Sequence, residues 1–386
     1  MQKPRLKNIL HLPRWYPNIS DPQNGVFVEK QIKLLSDRFN NYVLFVKSEN
    51  INEPYQIEES EKEGLTVITV YFKKKGNPLL NLFGYFSGFK KGLRRVLEKI
   101  ERPDMIHVHI LLRTGLLGWY YARKFGVPYI VSEHWSGYIT GAFEKKNILY
   151  RKLMLFVLNN ASKVMVVSRS LKTELVQKGI PEDKIEIIPN VVESRDEPSE
   201  RNDGEGKIVM LSVADLVDDI KKISEVIEVL PELELRHDLE YHIIGDGPDR
   251  ETLEKLAEDK GLLNTSVFFH GRKTNEEVLR EIHDCSFLVM NSVVETFSVV
   301  TAEALMAGKP VVVTRCGGPE YFVNKSNGIL VKPGNRAELR EALDKMTATF
   351  REYDPERLKQ SVDSKFSKTK IALQLTKVYD KILSGK

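Results

Sequence analysis

Short runs of apolar, often β-branched residues alternate along the whole chain with longer stretches in which apolar residues recur at helical spacing. Runs of four to eight apolar residues between polar segments predict buried strands, and apolar positions three and four apart predict amphipathic helices. Strands and helices that alternate at this spacing predict a parallel sheet with helices on both faces. The pattern therefore indicates an α/β fold.

The predicted elements form two series separated by a polar segment. In the first series we predict strands at 8–11, 42–46, 65–70, 105–109, 129–132, 163–167 and 185–188, with helices at 26–35, 83–100 and 113–125. In the second series we predict strands at 208–213, 241–244, 266–270 and 287–290, with helices from about 221, at 250–260 and at 275–283. A further helical window, 371–383, follows at the end.

The 386 residues suggest two domains, since domains commonly hold 100–200 residues. The segment 192–207 has no apolar periodicity and is interpreted as a linker. We therefore expect a first domain at 1–191, a linker at 192–206, a second domain at 207–368, and a last helix at 369–386 that crosses back to the first domain. The expected fold is two doubly wound, Rossmann-like domains facing a cleft, with ligands beyond the carboxyl ends of the strands.

Composition excludes several classes of protein. The two cysteines, Cys285 and Cys316, allow neither a disulfide framework nor a cysteine metal cluster, and they suit a reducing cytoplasm. We expect neither a signal peptide nor a membrane span. Residues 1–190 hold 30 Lys and Arg against 18 Asp and Glu, whereas the remaining residues hold 28 against 36. The basic first half suggests an anionic partner: a membrane surface, a phosphorylated acceptor or nucleic acid.

Two common nucleotide motifs are missing. Neither the dinucleotide fingerprint nor the P-loop pattern occurs, so a nicotinamide dehydrogenase is not expected. Gly25 precedes the first long helix, where it is either a turn and helix cap or a close approach to phosphate at a helix N-terminus. Glu295 and Glu303 straddle a predicted loop and helix start after the strand 287–290. Free N–H groups at that helix start suit a phosphate, and Glu303 suits vicinal hydroxyls.

Several short motifs between about residue 208 and residue 320 occur together in a consistent order. They are Gly245-Asp246-Gly247-Pro248, Gly271 after Phe268-Phe269-His270, the Glu295 and Glu303 pair, Gly308-Lys309-Pro310 and Gly317-Gly318-Pro319-Glu320. This region resembles the nucleotide-sugar-binding domain of GT-B glycosyltransferases, most of all retaining glycosyltransferase family 4. The first half resembles the family more loosely, at Asp104 to His109, Ser132-Glu133-His134, Ser168 and Pro189-Asn190.

The resemblance implies retaining transfer of a hexosyl group from a nucleoside-diphosphate-sugar in the cytoplasm. It assigns His134 and Glu295 to the reacting centre, with Glu295 holding sugar hydroxyls. The second domain would bind the donor and the first the acceptor, a glycan or lipid-linked precursor in surface polysaccharide synthesis. Residues that would contact the donor are Gly25, Lys221, Arg272, Glu303 at the ribose, and Thr296, Phe297, Ser298 and Val299 through their backbone N–H groups.

The sequence departs from the family pattern at three places. Ala214-Asp215-Leu216 stands where a Gly-Arg-Leu clamp is usual, so an acid replaces a cation that would stabilise the leaving diphosphate. Lys222, Arg272 and Arg315 are candidates to compensate. Ser298 stands where glycine is common, and Asn190-Val191-Val192-Glu193 replaces the usual Asn-Gly-Val-Asp. The alternatives are a degenerate nucleotide-binding protein without transfer activity, a nucleotide-sugar epimerase, or a phosphorylase.

We expect no cofactor and no metal, because no Asp-x-Asp motif follows a predicted strand. His107 and His109 alternate on one strand and are interpreted as structural, and His134 is either catalytic or a buried histidine at a strand end. The basic stretch 86–97 is either a helix on an anionic membrane, which would place the protein at its inner face, or an ordinary helix with a core stripe. Nucleic-acid binding is not expected, since no known motif accompanies the basic residues.

Overall fold

The strands and helices of the chain build two separate sheets. The computed structural model describes residues 5–111, 113–193 and 207–385. The first structural unit contains the described residues up to Val167, Leu171–Val191 and the residues from Thr369 onward, and the second contains Ser168–Ser170 and the described part of Val192–Lys368. Most of the predicted linker, 194–206, lies outside the described residues. None of the described helices is both long and apolar enough to cross a lipid bilayer.

The first sheet has eight strands. They are β1 (Lys7–Pro13), β2 (Phe39–Glu49), β3 (Tyr55–Lys62), β4 (Leu65–Lys73), β5 (Met105–His109), β6 (Tyr129–Glu133), β7 (Lys163–Val166) and β8 (Ile185–Ile187). Their spatial order is β3-β4-β2-β1-β5-β6-β7-β8, and β3 alone runs antiparallel to its neighbour. The strand order reverses between β1 and β5, so this pair is the topological switch point of the sheet.

Five helices follow strands of the first series, and the other helices come later in the chain. The former are α1 (Val26–Lys33), α2 (Pro78–Lys99), α3 (Arg113–Phe125), α4 (Ile148–Asn160) and α5 (Arg169–Gln177). The second series contains α6 (Asp218–Lys221), α7 (Ile223–Glu234), α8 (Arg250–Asp259), α9 (Asn275–Asp284), α10 (Val299–Met306), α11 (Arg336–Thr349) and α12 (Pro355–Phe366), and α13 (Lys368–Leu383) ends the chain.

The second sheet is parallel throughout. Its strands are β9 (Ile208–Val213), β10 (Leu239–Ile244), β11 (Val267–Gly271), β12 (Phe287–Met290), β13 (Val311–Thr314) and β14 (Gly328–Val331), in the order β11-β10-β9-β12-β13-β14. This is a doubly wound order whose switch point lies between β9 and β12. Two parallel, helix-covered sheets confirm the predicted fold class.

Different helices cover the two faces of the first sheet. One face, here called the first face, carries Ile9, Met105 and Ile130, which pack against α13 in one core cluster. Helix α1 packs on the same face, because its Val28 and Ile32 join Val43 of β2, which is opposite His11 in register. The apolar residues of α13 recur at the spacing of one helical side: Ile371, Leu375, Val378 and Tyr379.

The opposite face, here called the second face, carries α2, α3 and α4. Gly92 of α2 lies so close to Leu44 and Val70 that an added Cβ would stand 2.3 Å from the Leu44 side chain. Gly118 of α3 is equally close to Val108, at 2.3 Å, and Gly115 brings α3 against Val157 of α4. Glycines on the inner sides of these helices therefore set how closely the second face is covered.

Sequence patterns missed or misplaced several elements, and the strands β13 and β14 were not predicted. Strand β3 was not predicted because its residues are almost all polar and exposed, as an edge strand can be, with Ile57 as its only aliphatic residue. Helix α2 begins at Pro78, one turn before the predicted start, with the Asn77 side chain accepting the Leu79 N–H. Helix α8, by contrast, begins at Arg250 as predicted, with Pro248 in the preceding turn.

Candidate active site

The carboxyl end of β12 holds the first residues of the candidate site in the second unit. Glu295 lies in the loop after β12, where its carboxylate is 2.5 Å from Lys221 Nζ and accepts a hydrogen bond from the Ser292 hydroxyl at 2.9 Å. Lys221 ends the short helix α6, which follows β9. An ion pair between these two loops therefore spans the switch point, where doubly wound sheets bind ligands.

The segment after β13 holds the Glu295 loop in place through Cys316 and Gly318. The Glu295 N–H donates to the Cys316 carbonyl, and the Gly318 N–H donates back to the Glu295 carbonyl. Gly318 lies so close to the loop that an added Cβ would stand 2.5 Å from the Phe297 nitrogen and 2.7 Å from the Thr296 carbonyl carbon. Only glycine permits this approach of two backbones.

Free backbone donors stand beside the ion pair. Within the described residues, the N–H groups of Thr296, Phe297 and Ser298 donate no hydrogen bond, and Val299 begins α10. The Phe297 side chain is buried against Phe322 and Phe366, so Phe297 can serve a ligand only through its backbone. These donors and the helix N-terminus make a suitable environment for an anion.

Ser298 has a left-handed backbone conformation, with φ of 67° and ψ of 79°. This conformation explains why glycine is common at the matching family position, because glycine alone adopts it without strain. The Ser298 hydroxyl lies 2.7 Å from the hydroxyl of Thr301. Ser298 therefore adopts the backbone conformation that begins α10 at some conformational cost.

Glu303 lies on α10, one turn beyond Val299, and is 4% exposed. Glu303 and the free N–H groups of the preceding loop therefore lie close together along the chain. Its assigned role at a ribose stays a prediction.

The structure gives Asp215, the acid in place of the clamp arginine, a cationic partner. Asp215 Oδ1 lies 3.4 Å from Arg272 Nη2, and both side chains are exposed. Arg272 follows Gly271 at the end of β11, so the side chain as well as the backbone of Arg272 reaches this edge of the sheet. Of the other candidates, Lys222 has a left-handed backbone between α6 and α7, and Arg315 reaches the Leu330 carbonyl.

In the first unit, Gly25 caps α1 with φ of 69°. An added Cβ would lie 2.4 Å from the Trp15 carbonyl, so the β1–α1 loop admits only glycine here. This geometry supports the turn-and-cap interpretation, and an approach to diphosphate stays a prediction.

His134 follows β6 and is 7% exposed, with the Phe27 ring 4.7 Å from its own. Burial lowers the pKa of His134 to about 3, so the imidazole is neutral at physiological pH. The preceding Glu133 is fully buried, and its carboxylate accepts the N–H groups of Leu111, His134 and Trp135. Glu133 thus fixes the loops after β5 and β6 together. His134 can act there as a neutral hydrogen-bonding group, not as a cation.

A group of three buried histidines lies on the first face. Ligand nitrogens of His11, His107 and His109 lie within 4.8 Å of one another, a spacing that could hold a metal ion. Sequence spacing did not reveal this group, because His11 lies far from the other two along the chain.

Hydrogen bonds occupy five of the six ring nitrogens. His11 Nε2 donates to the Asn41 amide oxygen at 3.0 Å, so His11 Nδ1 is left to accept from His109 Nε2, also at 3.0 Å. His107 bonds to the hydroxyls of Ser132 and Tyr379, and His109 Nδ1 has no partner. Burial holds the pKa of His107 and His109 well below the usual range and lowers that of His11 to about 4. The group is therefore a neutral network, in agreement with the structural interpretation of His107 and His109.

The predicted site residues fall into two groups. Lys221, Glu295, Thr296, Ser298 and the start of α10 lie together in the second unit, and Arg272 lies at the same sheet edge with Asp215. Gly25 and His134 lie at the carboxyl edge of the first sheet, linked through Phe27. Sequence reasoning missed Ser292 and Glu133, whose roles arise from contacts between loops.

Comparisons with known proteins agree with this geometry. Residues 33–195 match the model of Glycosyltransferase Family 4, and residues 193–358 match that of Glycosyl transferases group 1. The chain therefore belongs to the group 1 glycosyltransferases and has the GT-B fold. The predicted family is confirmed.

Individual relatives cover most of the chain. An uncharacterised glycosyltransferase of Methanocaldococcus jannaschii is 26% identical, over 84% of this chain and 87% of its own. The putative teichuronic acid biosynthesis glycosyltransferase TuaC of Bacillus subtilis is 24% identical, over 87% and 88%. A solved structure of an Anabaena protein with UDP-glucose has a TM-score of 0.71 at 18% identity, over 97% of this chain and 99% of that one. This last likeness shows the shared fold.

Replacing Gly318 with alanine should lower the free energy of unfolding by about 1–3 kcal/mol, because the new Cβ meets backbone atoms that cannot rotate away. The control is Gly76→Ala, where a Cβ meets nothing within 4 Å and stability should stay equal or rise slightly. Urea denaturation measures both. Equal stability of the two variants would contradict the close packing of Gly318.

The histidine network predicts a loss of stability in acid. Between pH 6.5 and about 4 the unfolded chain protonates His11 while the folded chain does not. The free energy of unfolding therefore decreases as the pH is lowered through this window, and the contribution of His11 is complete above it. Lowering the His11 pKa from 6.5 to about 4 corresponds to about 3 kcal/mol of free energy of unfolding above this window. Urea denaturation at several pH values should therefore show a shallower pH dependence for His11→Gln, since the carboxylates titrate equally in both proteins. An unchanged slope would contradict a neutral His11.

Proposed function

We propose that this protein is a retaining glycosyltransferase that moves a hexosyl group from a nucleoside-diphosphate-sugar to a glycan or lipid-linked acceptor in surface polysaccharide synthesis. The observation that carries the proposal is the pairing of Lys221 with Glu295 beside the free N–H groups of Thr296, Phe297 and Ser298. Lysine and backbone amides suit a diphosphate, and a carboxylate suits sugar hydroxyls. The second unit is thus the donor-binding unit.

In the proposed reaction the bond between the anomeric carbon and the donor phosphate breaks, and a bond to the acceptor oxygen forms on the same face of the sugar. The acceptor hydroxyl gives its proton to the departing phosphate. Glu295 is engaged by Lys221 and Ser292, so we assign it to hold sugar hydroxyls and not to attack the anomeric carbon. Because burial lowers the pKa of His134 to about 3, its imidazole is neutral at physiological pH and contributes a hydrogen bond.

We propose that protein cations, without a divalent ion, stabilise the leaving diphosphate. Lys221 provides the first positive charge, and Arg272, which lies beside Asp215, provides a second. The alternative of a degenerate, non-transferring protein was suggested by Asp215. Since Arg272 lies within 3.4 Å of that carboxylate, the edge has not lost its cation, and this favours an active enzyme.

The acceptor side is proposed from charge and from relatives. TuaC, to which the chain is similar over most of its length, is described as a putative teichuronic acid biosynthesis enzyme. The basic first unit suits an anionic acceptor or membrane surface. We therefore place the protein in the cytoplasm, attached at times to the inner face of the membrane.

The exposed apolar residues of α2 suggest a different membrane contact from the stretch 86–97. In the stretch 86–97, Phe89, Leu93 and Val96 are buried on the second face, so the core-stripe interpretation is correct for that part of α2. The first turns of α2 instead expose apolar side chains, with Leu79 and Phe83 each 73% exposed, next to exposed Lys73 to Lys75. This apolar and basic tip suits insertion at an anionic leaflet.

Isothermal titration with UDP-, GDP- and ADP-sugars tests the donor site. One nucleotide series should bind, and Lys221→Met should weaken that binding by about tenfold or more, as loss of a charged contact does. Lys325→Met, a change at an exposed lysine of the same unit, is the control.

NMR of the product should show retained anomeric configuration, and EDTA should leave the rate unchanged. No binding of any donor, an inverted product, or a rate restored only by magnesium would refute the corresponding part.

Flotation with anionic and uncharged liposomes tests the membrane part. The wild-type protein should float with anionic liposomes only, and the double variant Leu79→Ser, Phe83→Ser should stay in solution. The control is Leu373→Ser, since Leu373 is 62% exposed on α13, on the other face of the sheet. Equal flotation of all three proteins would rule out the α2 tip as the contact.

A further inference from the structure

Two arginines lie at the switch point of the first sheet, and the proposed function uses neither of them. Arg14 follows β1 directly, and its N–H donates to the His109 carbonyl at 2.9 Å, which extends the pairing of β1 with β5. Arg113 is the first residue of α3, which follows β5. Both side chains are exposed, at the edge where doubly wound sheets bind ligands.

The surroundings of these arginines contain hydroxyls and no carboxylate partner. The Arg113 guanidinium lies 5.7 Å from the centre of the Tyr85 ring, and Tyr85 is buried. The groups whose charges act on Arg14 are Tyr85, Arg113 and Tyr150. The Tyr150 hydroxyl is buried without a hydrogen-bond partner. Among the described residues, neither arginine forms an ion pair.

Bringing two cations together without an anion is unfavourable. Partial loss of solvent around the guanidinium lowers the pKa of Arg14, and the positive charge of Arg113 also lowers it. The buried carboxylate of Glu133 does not relieve this repulsion, because Glu133 is not among the groups whose charges act on Arg14. A bound anion would relieve it and would also give the Tyr150 hydroxyl a partner.

The position of the pair separates it from the residues assigned to the donor. Side chains alternate along β1, so Arg14 points away from His11 and toward the second face, where Tyr85 of α2 and Tyr150 of α4 lie. Gly25, His134 and the histidine network lie at the first face. Helices α2, α3 and α4 together carry ten Lys and Arg and only one acid, Glu98, so their layer attracts anions.

We infer that Arg14 and Arg113, with the hydroxyls of Tyr85 and Tyr150, bind an anionic group of the acceptor. This inference rests on the proposed function, since it gives the acceptor of that reaction its chemical class. The group is a phosphate or a carboxylate, for which the planar arginine fork is suited. A phosphate-linked lipid carrier and an acidic sugar are its two sources.

Isothermal titration of the full chain with two probes tests the site: a short polyprenyl diphosphate below its micellar concentration, and glucuronate. At least one probe should bind, and Arg14→Gln and Arg113→Gln should each weaken that binding by about tenfold. Tyr150→Phe, which keeps both charges, should weaken it less. Arg123→Gln, a change at an exposed arginine farther along α3, is the control and should bind as the wild type does. Thermal melting verifies that each variant is folded.

The outcomes separate the possible results. Arginine-dependent binding of the diphosphate indicates a lipid carrier, and arginine-dependent binding of glucuronate indicates an acidic sugar. Equal loss in Arg123→Gln would show general attraction to a basic surface and overturn the site, as would no binding of either probe. Weaker binding of the nucleotide-sugar in Arg14→Gln would place the donor there and also overturn it. If the probe binds but no donor does, the anion site stands and the proposed transfer function fails.

Discussion

The ion pair between Lys221 and Glu295 is the contact on which the candidate site of the second unit depends. It joins the loops after β9 and β12, the two central strands, at the point where the connections of a doubly wound sheet diverge to opposite sides. The backbone of Glu295 in turn forms hydrogen bonds with the Cys316 carbonyl and the Gly318 N–H group. Gly318 supports Thr296 and Phe297, whose position determines where α10 begins. One charged contact and one close backbone approach therefore place every free N–H group of the site.

The sequence predicts the buried elements well, because burial leaves a periodic apolar pattern. Strands such as β5 and β12 are buried along their whole length and were predicted within their observed bounds. Strand β3 escaped because its stability comes from pairing with β4 and not from side-chain burial. Its polar residues resemble those of a loop when β3 is considered without the strand it pairs with.

The candidate site was predictable only where a motif is local. Glu295, Glu303 and the helix start lie within nine residues, so their spacing could be interpreted. The ion pair of Asp215 with Arg272 joins residues that follow different strands, and Arg14 and Arg113 likewise follow different strands. No local pattern predicts which of these loops meet. Ser298 shows the reverse: its left-handed backbone explains a glycine preference that the sequence alone presents as an unexplained departure.

The first unit is built from distant parts of the chain, since α13 packs on β1, β5 and β6 while the second unit lies between them in sequence. During synthesis the first sheet therefore emerges with Ile9, Met105 and Ile130 uncovered on one face. Those residues stay without α13 until the second unit has been made, because the N-terminal residues leave the ribosome first. The unit that begins first is thus completed last, and a shortened chain that ends after α12 would leave its apolar face open to aggregation.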